Sequence, residues 1–285
     1  MQLQYYLIIL SSVIGLAAAF VLTKVYQNLT NTALRVSVLY NIMAGLCTAL
    51  VFFCFNGFHF SITPFSLGMA VIMTLCSGTY VILGFKLISM GHISTYTLFL
   101  MLGGMMLPFF AGVLLFDERL TAGSVICFVL VLISLLFTVK RGNGGSYLIY
   151  YAGIFLLNGM SGVLSKWFAA APYEKTSSAG YSILSAAVAA ALSAIVLLFI
   201  RGDRLKLSVR GATNMLGYGV LNKIGNFLLL IALAHLPASV QYPMVTGGVM
   251  ICSTVICFFT HQKPGKREIA SLVLSFVGIL ALVLL

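Results

Sequence analysis

The stretch AFVLTKVYQ, residues 19–27, closes an apolar run with a single charge, Lys24. SGVLSKWFA, residues 161–169, repeats the phrase and closes on Lys166. A shift of 142 lays Val21-Leu22-Thr23-Lys24 on Val163-Leu164-Ser165-Lys166. A shift of 144 lays GGMM at 103–106 on GGVM at 247–250, and Val129-Leu130 on Val273-Leu274. A two-residue insertion reconciles the shifts. Three matches in order at nearly one offset read as a chain written twice, as 1–142 and 143–285.

Composition says what each copy contains. Of the 285 residues, 61% are hydrophobic and 7% charged, whereas a soluble domain carries about 25% charge. Such a chain cannot cover itself against water, so its solvent is lipid. A spanning helix needs about 20 mostly apolar residues. Ten such runs lie between charged or Pro/Gly-marked breaks: 5–23, 33–55, 65–88, 94–115, 121–139, 147–169, 178–200, 212–234, 239–260 and 268–285. They lack the period-2 alternation of barrel strands, and helices satisfy their own backbone in lipid. The expected fold is an all-α integral membrane protein of ten transmembrane helices in two five-helix repeats. An odd number of spans makes the second repeat enter the membrane from the opposite side. The repeats are then inverted about an axis in the membrane plane, an architecture of secondary transporters. Met1 to Tyr6 carries no charge, so the first run reads as a retained helix rather than a signal peptide.

The formal net charge is +11. In a soluble protein that would suggest nucleic acid; here the bases record topology, and no nucleic-acid partner is expected. Leaving aside the lysines and arginines counted with the runs, Lys24 among them, the odd-numbered connections hold nine, and the termini and even-numbered connections hold two, Arg119 and Lys175. That bias puts the odd connections in the cytoplasm and both termini outside, in a bacterial cytoplasmic membrane. The six cysteines lie inside apolar runs without metal-ligand spacing, and read as small buried hydrophobes. No metal and no cofactor are expected.

The length, the 5+5 repeat, the lysines of FVLTK and GVLSK and the short turn between the third and fourth runs resemble the drug/metabolite transporter superfamily in its ten-helix EamA-like form. LPFFAGVLLFDERLTAGS at 107–124 is similar to the family's stretch joining its fourth and fifth helices through an acidic turn, with Glu118 at the family's glutamate. The second repeat departs from it: THQKPGKRE puts His261-Gln262 where the first has Asp117-Glu118. The resemblance implies a carrier and leaves the substrate open. It also implies both termini in the cytoplasm, against the charge count.

Several residues are candidates for a substrate site. Lys223 falls at the centre of the eighth run, between Asn222 and Asn226. An ionisable residue in hydrocarbon is a functional hypothesis by default; the alternative is a structural lysine held by helix-end carbonyls or by those asparagines. Tyr218 stands one turn before Asn222, and Tyr96, Gln241 and Tyr242 stand near the starts of the fourth and ninth runs. Gly103, Gly104 and Pro108 interrupt the fourth run, and Pro243, Gly247 and Gly248 the ninth. Paired interruptions in corresponding helices point to a transporter's site or gate; close packing of small residues is the alternative reading. The small residues of AGYSILSAAVAAALSA in the seventh run read as packing alone.

Lys24, Lys86 and Lys166 lie near run ends, where lysine snorkels to the interface. His92 and His235 sit in matching short turns and read as interfacial. All five acids lie at or near connections, so no carboxylate waits at a span centre for a cation.

These readings converge on a secondary active or facilitative transporter for a small polar metabolite, anionic or zwitterionic and amino-acid-like, working by alternating access as a monomer or homodimer. Within transport, an exporter of cationic drugs or quaternary amines through an aromatic-lined cavity is the alternative. Outside it, the alternative is an integral-membrane enzyme or a non-transporting membrane component. The chain has no HExxH, GxSxG or clustered acids, and no catalytic residue is assigned.

Overall fold

The computed structural model describes residues 2–29, 34–57, 59, 61–89, 93–137, 147–200, 209–259 and 266–285. Among them are ten helices: α1 (Gln2–Leu29), α2 (Leu34–Phe55), α3 (Pro64–Ser89), α4 (Ile93–Leu115), α5 (Ala122–Phe137), α6 (Leu148–Ala170), α7 (Ser178–Phe199), α8 (Val209–Leu233), α9 (Ala238–Phe259) and α10 (Lys266–Leu284). No strand occurs among the described residues. The helices follow the expected runs, with α1 continuing past Lys24 to Leu29. No glycine or proline stands between Gly15 and Gly45 to stop it.

Six helices contain a stretch long and apolar enough to cross a membrane: 64–84, 96–115, 148–170, 178–199, 216–233 and 238–256. The chain is an integral membrane protein. In α1, α2, α5 and α10 the described apolar stretches are shorter.

Most helices take their main partners from the other half of the chain. α1 packs on α8 and α9, α2 on α7, α5 on α10, and α6 on α4 and α3. Small residues bring the backbones together, as packing in lipid favours. A Cβ on Gly159 of α6 would lie 2.6 Å from the Gly103 carbonyl oxygen of α4. A Cβ on Gly45 of α2 would lie 2.9 Å from the Ala186 carbonyl oxygen of α7, inside the row of small residues. Between α5 and α10 the contact is polar. The buried Ser134 hydroxyl stands 2.7 Å from both the Ser271 and Ser275 hydroxyls and 2.6 Å from the Ser271 carbonyl. The outer surface of that pair, with Val129, Ile133, Val273 and Phe276, is exposed.

Two apolar cores result. The larger joins α1, α4, α5, α9 and α10 around Ile9, Met105, Val131 and Val249. The second joins α3, α6, α7 and α8 around Met69, Phe168, Tyr181 and Leu230.

Candidate functional site

The two cores meet along one face of α8. A helix turns about 100° per residue, so the covered neighbours of Asn226 fix where it points. Gly225 is against Leu16 and Ser12 of α1. Phe227 packs on Phe52 of α2 with ring centroids 4.9 Å apart. One turn on, Leu229 packs on the larger core and Leu230 belongs to the second. Asn226 lies between the directions of Leu229 and Leu230, yet it is exposed. It therefore faces an accessible seam between the cores rather than the outside of the bundle. Tyr218, Asn222 and Asn226, spaced i, i+4, i+8, form a polar stripe along that face.

Lys223 stands about 60° round the helix from Asn226, toward Phe227, and is half-buried. Among the described residues its ammonium has no hydrogen bond or ion pair. The asparagines do not hold it. The Asn226 amide donates to the Asn222 backbone oxygen at 2.7 Å and to its side-chain oxygen at 3.1 Å. Tyr80 of α3, Tyr96 of α4 and Tyr218 are close enough to interact electrostatically. Tyr96 lies in a notch opened by Gly84, where a Cβ would strike its ring. Sequence reasoning missed Tyr80, because a tyrosine in an apolar run looks like any lipid-facing aromatic.

Other expected site residues fall into the scaffold. Gln241 is fully buried and donates its amide to the Leu229 carbonyl at 2.9 Å, tying α9 to α8. Its Oε1 has no partner among the described residues. Tyr242 donates to the Gly162 carbonyl at 2.9 Å. Pro108 packs at Gly162, where a Cβ would collide with its ring. Pro108 and Pro243 are both fully buried. Gly103 abuts the Phe155 backbone, and a Cβ on Gly104 would lie 2.7 Å from Asn158 Nδ2. A Cβ on Gly248 would lie 2.9 Å from Val13 of α1, and one on Gly247 3.0 Å from Val131 of α5. All four glycines make room for neighbouring helices.

The run-end lysines divide. Lys166 does not snorkel. Its ammonium is 2.8 Å from Glu118 Oε1, with side chains only 12% and 7% exposed. Glu118 also accepts from the backbone amides of Ala238 at 2.8 Å and Ser239 at 2.9 Å, and from the Ser239 hydroxyl at 2.9 Å. The carboxylate thus caps the N-terminus of α9, satisfying amides that a helix start leaves unpaired. Burial alone would push its pKa up; the Lys166 hydrogen bond, the Ser239 and Ala238 amides and the Lys166 charge outweigh that and hold it below the usual carboxylate range. The preceding residue, Asp117, is left-handed at φ 50°, and Gly112 leaves the space the carboxylate fills.

Lys86 donates to the Tyr150 hydroxyl at 2.6 Å. Lys175 closes the C-terminus of α6, donating to the carbonyls of Phe168, Ala169 and Ala171 at 3.0, 2.6 and 3.0 Å. His235 is exposed and stacks on Tyr5 with centroids 4.1 Å apart. The Lys24 side chain, His92, His261 and Gln262 lie outside the described residues.

A solved crystal structure of another protein shares this fold over 99% of this chain and 98% of its own, with a TM-score of 0.79 and 14% sequence identity. At that identity the likeness is one of fold. No family model matches the chain, and no curated protein does.

Proposed function

We propose that this chain is a secondary transporter, active or facilitative, that moves a small polar metabolite across the membrane by alternating access, as a drug/metabolite transporter of the EamA-like type. The observation that carries the reading is the polar stripe of α8 on an accessible seam between two apolar cores. Polar residues within a membrane bundle are costly, and those that are kept face the bundle interior or a water-filled cavity and mark substrate pathways. In this reading the ten helices all span the membrane as two inverted repeats. The packing supports that. Exchanging each helix for the one five places on turns α1 on α8 into α6 on α3, and α1 on α9 into α6 on α4, and returns α2 on α7 and α5 on α10 to themselves. The close approach repeats as well. To within one residue, Val13 meets Gly248, and Phe155, 142 residues after Val13, meets Gly103, the neighbour of Gly248's counterpart Gly104.

Lys223 supplies a positive charge at the edge of the seam, and Tyr80, Tyr96 and Tyr218 supply phenols. The set suits a carboxylate-bearing or zwitterionic solute. The charge bias puts the odd-numbered connections in the cytoplasm of a bacterial cell and both termini outside.

The test is counterflow in liposomes with purified protein and a panel of anionic, zwitterionic and cationic metabolites. A ligand is first found by thermal stabilisation, because binding only the folded state raises its apparent stability. Lys223→Ala is expected to abolish transport of the carboxylate solute while leaving folding intact. Transport equal to that of the unmodified chain would remove Lys223 from the site.

A further inference from the structure

At one end of the bundle lie the described residues of the 56–63 connection and the 116–121, 171–177 and 234–237 connections, and there the two halves are tied across the seam. Glu118, from the first half, reaches Lys166 of α6 and the first two amides of α9, all in the second half. Lys166 also lies 3.5 Å from the Leu236 carbonyl. Beside this clasp, the Thr176 amide donates to the Ser66 hydroxyl at 3.0 Å, and Phe65 stacks on Phe168 with centroids 6.1 Å apart. Opening this end means separating the 116–121 connection from α6 and α9. That exposes a carboxylate and an ammonium and uncaps a helix in one movement. The corresponding turn, THQKPGKRE, carries His261-Gln262 in place of Asp117-Glu118, so the position matching Glu118 holds no carboxylate.

We propose that Glu118 and Lys166 form an ionic latch that holds this end of the bundle shut, and that the replacement of its carboxylate by Gln262 in the matching turn biases the carrier toward opening at the opposite end. The inference rests on the alternating-access reading above. It assigns the two ends unequal opening energies, which the inverted repeat by itself would make equal.

The test reads access to the seam from each side of the membrane and requires no known substrate. Asn226→Cys is introduced into the full chain, reconstituted in known orientation and treated with a membrane-impermeant maleimide from either side. Labelling is quantified at that position by peptide mass. Tyr173→Cys, an exposed position in the 171–177 connection, sets the unhindered rate at the latched end. Expected labelling of the seam thiol introduced by Asn226→Cys is slow from the latched end and faster from the opposite end. Glu118→Gln should raise the latched-end rate by about tenfold or more, a typical size for coupling between two states, and lower the opposite-end rate. Lys166→Met should do the same while leaving the α9 cap in place, and it decides alone where Glu118→Gln does not fold. If folded variants lose thermal stability but keep the original sidedness of labelling, the pair is a staple and the latch is refuted. If the seam thiol reacts from neither side in any variant, the alternating-access reading itself falls.

Discussion

The energy of the Glu118–Lys166 contact can be measured by a double-mutant cycle. At 7% and 12% exposure, the pair is unlike solvent-exposed ion pairs, which contribute about 0–1 kcal/mol. Removing one partner of a buried pair costs about 3–5 kcal/mol, because the other charge is left unpaired. Lys166→Met falls below that range, at about 2–3 kcal/mol, since Glu118 keeps two backbone amides and the Ser239 hydroxyl. Glu118→Gln falls higher, about 3–4 kcal/mol. It weakens the α9 cap and leaves the Lys166 ammonium with the Leu236 carbonyl at 3.5 Å. The double variant removes both charges and keeps only the loss at the cap. Its cost should be about 1–2 kcal/mol rather than the sum of about 5–7, a coupling of about 4–5 kcal/mol. Reversible unfolding in mixed micelles with increasing sodium dodecyl sulfate gives all four corners. Costs that simply add, within about 0.5 kcal/mol, would show that the 2.8 Å contact carries no interaction energy and would refute this reasoning.

The same carboxylate sets a pH dependence. Its folded pKa is lowered, so its contribution to stability is present above the unfolded value of about 4.3 and disappears as pH falls through the folded value. The stability gap between the unmodified chain and Glu118→Gln should therefore be largest near neutral pH and close below about pH 4; a gap independent of pH would contradict the assignment. Gly103→Ala drives a methyl into the Phe155 backbone and should cost at least about 1–3 kcal/mol as overpacking. Gly68→Ala meets nothing within 4 Å and should stabilise by about 0.5–1 kcal/mol through helix propensity; thermal unfolding in detergent separates the two. Ser134→Ala removes the contacts to Ser271 and Ser275 and, at about 0.6 kcal/mol per interhelical hydrogen bond in membranes, should lower stability by about 1 kcal/mol in the same assay.

The helical fold is legible because lipid imposes it: long apolar runs can only be helices, and glycine pairs at matching offsets mark where helices touch. The glycines of α4 and α9 show what sequence leaves undecided. A helix interruption looks the same whether a solute or another helix fills it, and the structure puts Phe155, Asn158, Val13 and Val131 there. Lys166 is hidden for a related reason. Position near a helix end predicts snorkelling, but its partner Glu118 is 48 residues away in the chain, beyond any local pattern. Gln241 draws attention as a polar residue in an apolar run, and that polarity serves the Leu229 carbonyl. Lys223 stands out by depth alone, and the absence of a partner for it among the described residues is what the structure adds.

The packing order has a consequence for biogenesis. Among the described residues of the first half, only α3 with α4 and α4 with α5 touch to any extent; α1, α2 and α5 find their main partners in α8, α7 and α10. In the ten-span reading proposed above, a ribosome delivering this chain inserts five helices before most of their partners exist. Gly45, Gly103 and Ser134 wait in lipid for surfaces still to be synthesised. Membrane chaperones and proteases meet the protein in that interval. Substitutions at these contacts should lower the amount of protein that matures before they alter what the mature protein does.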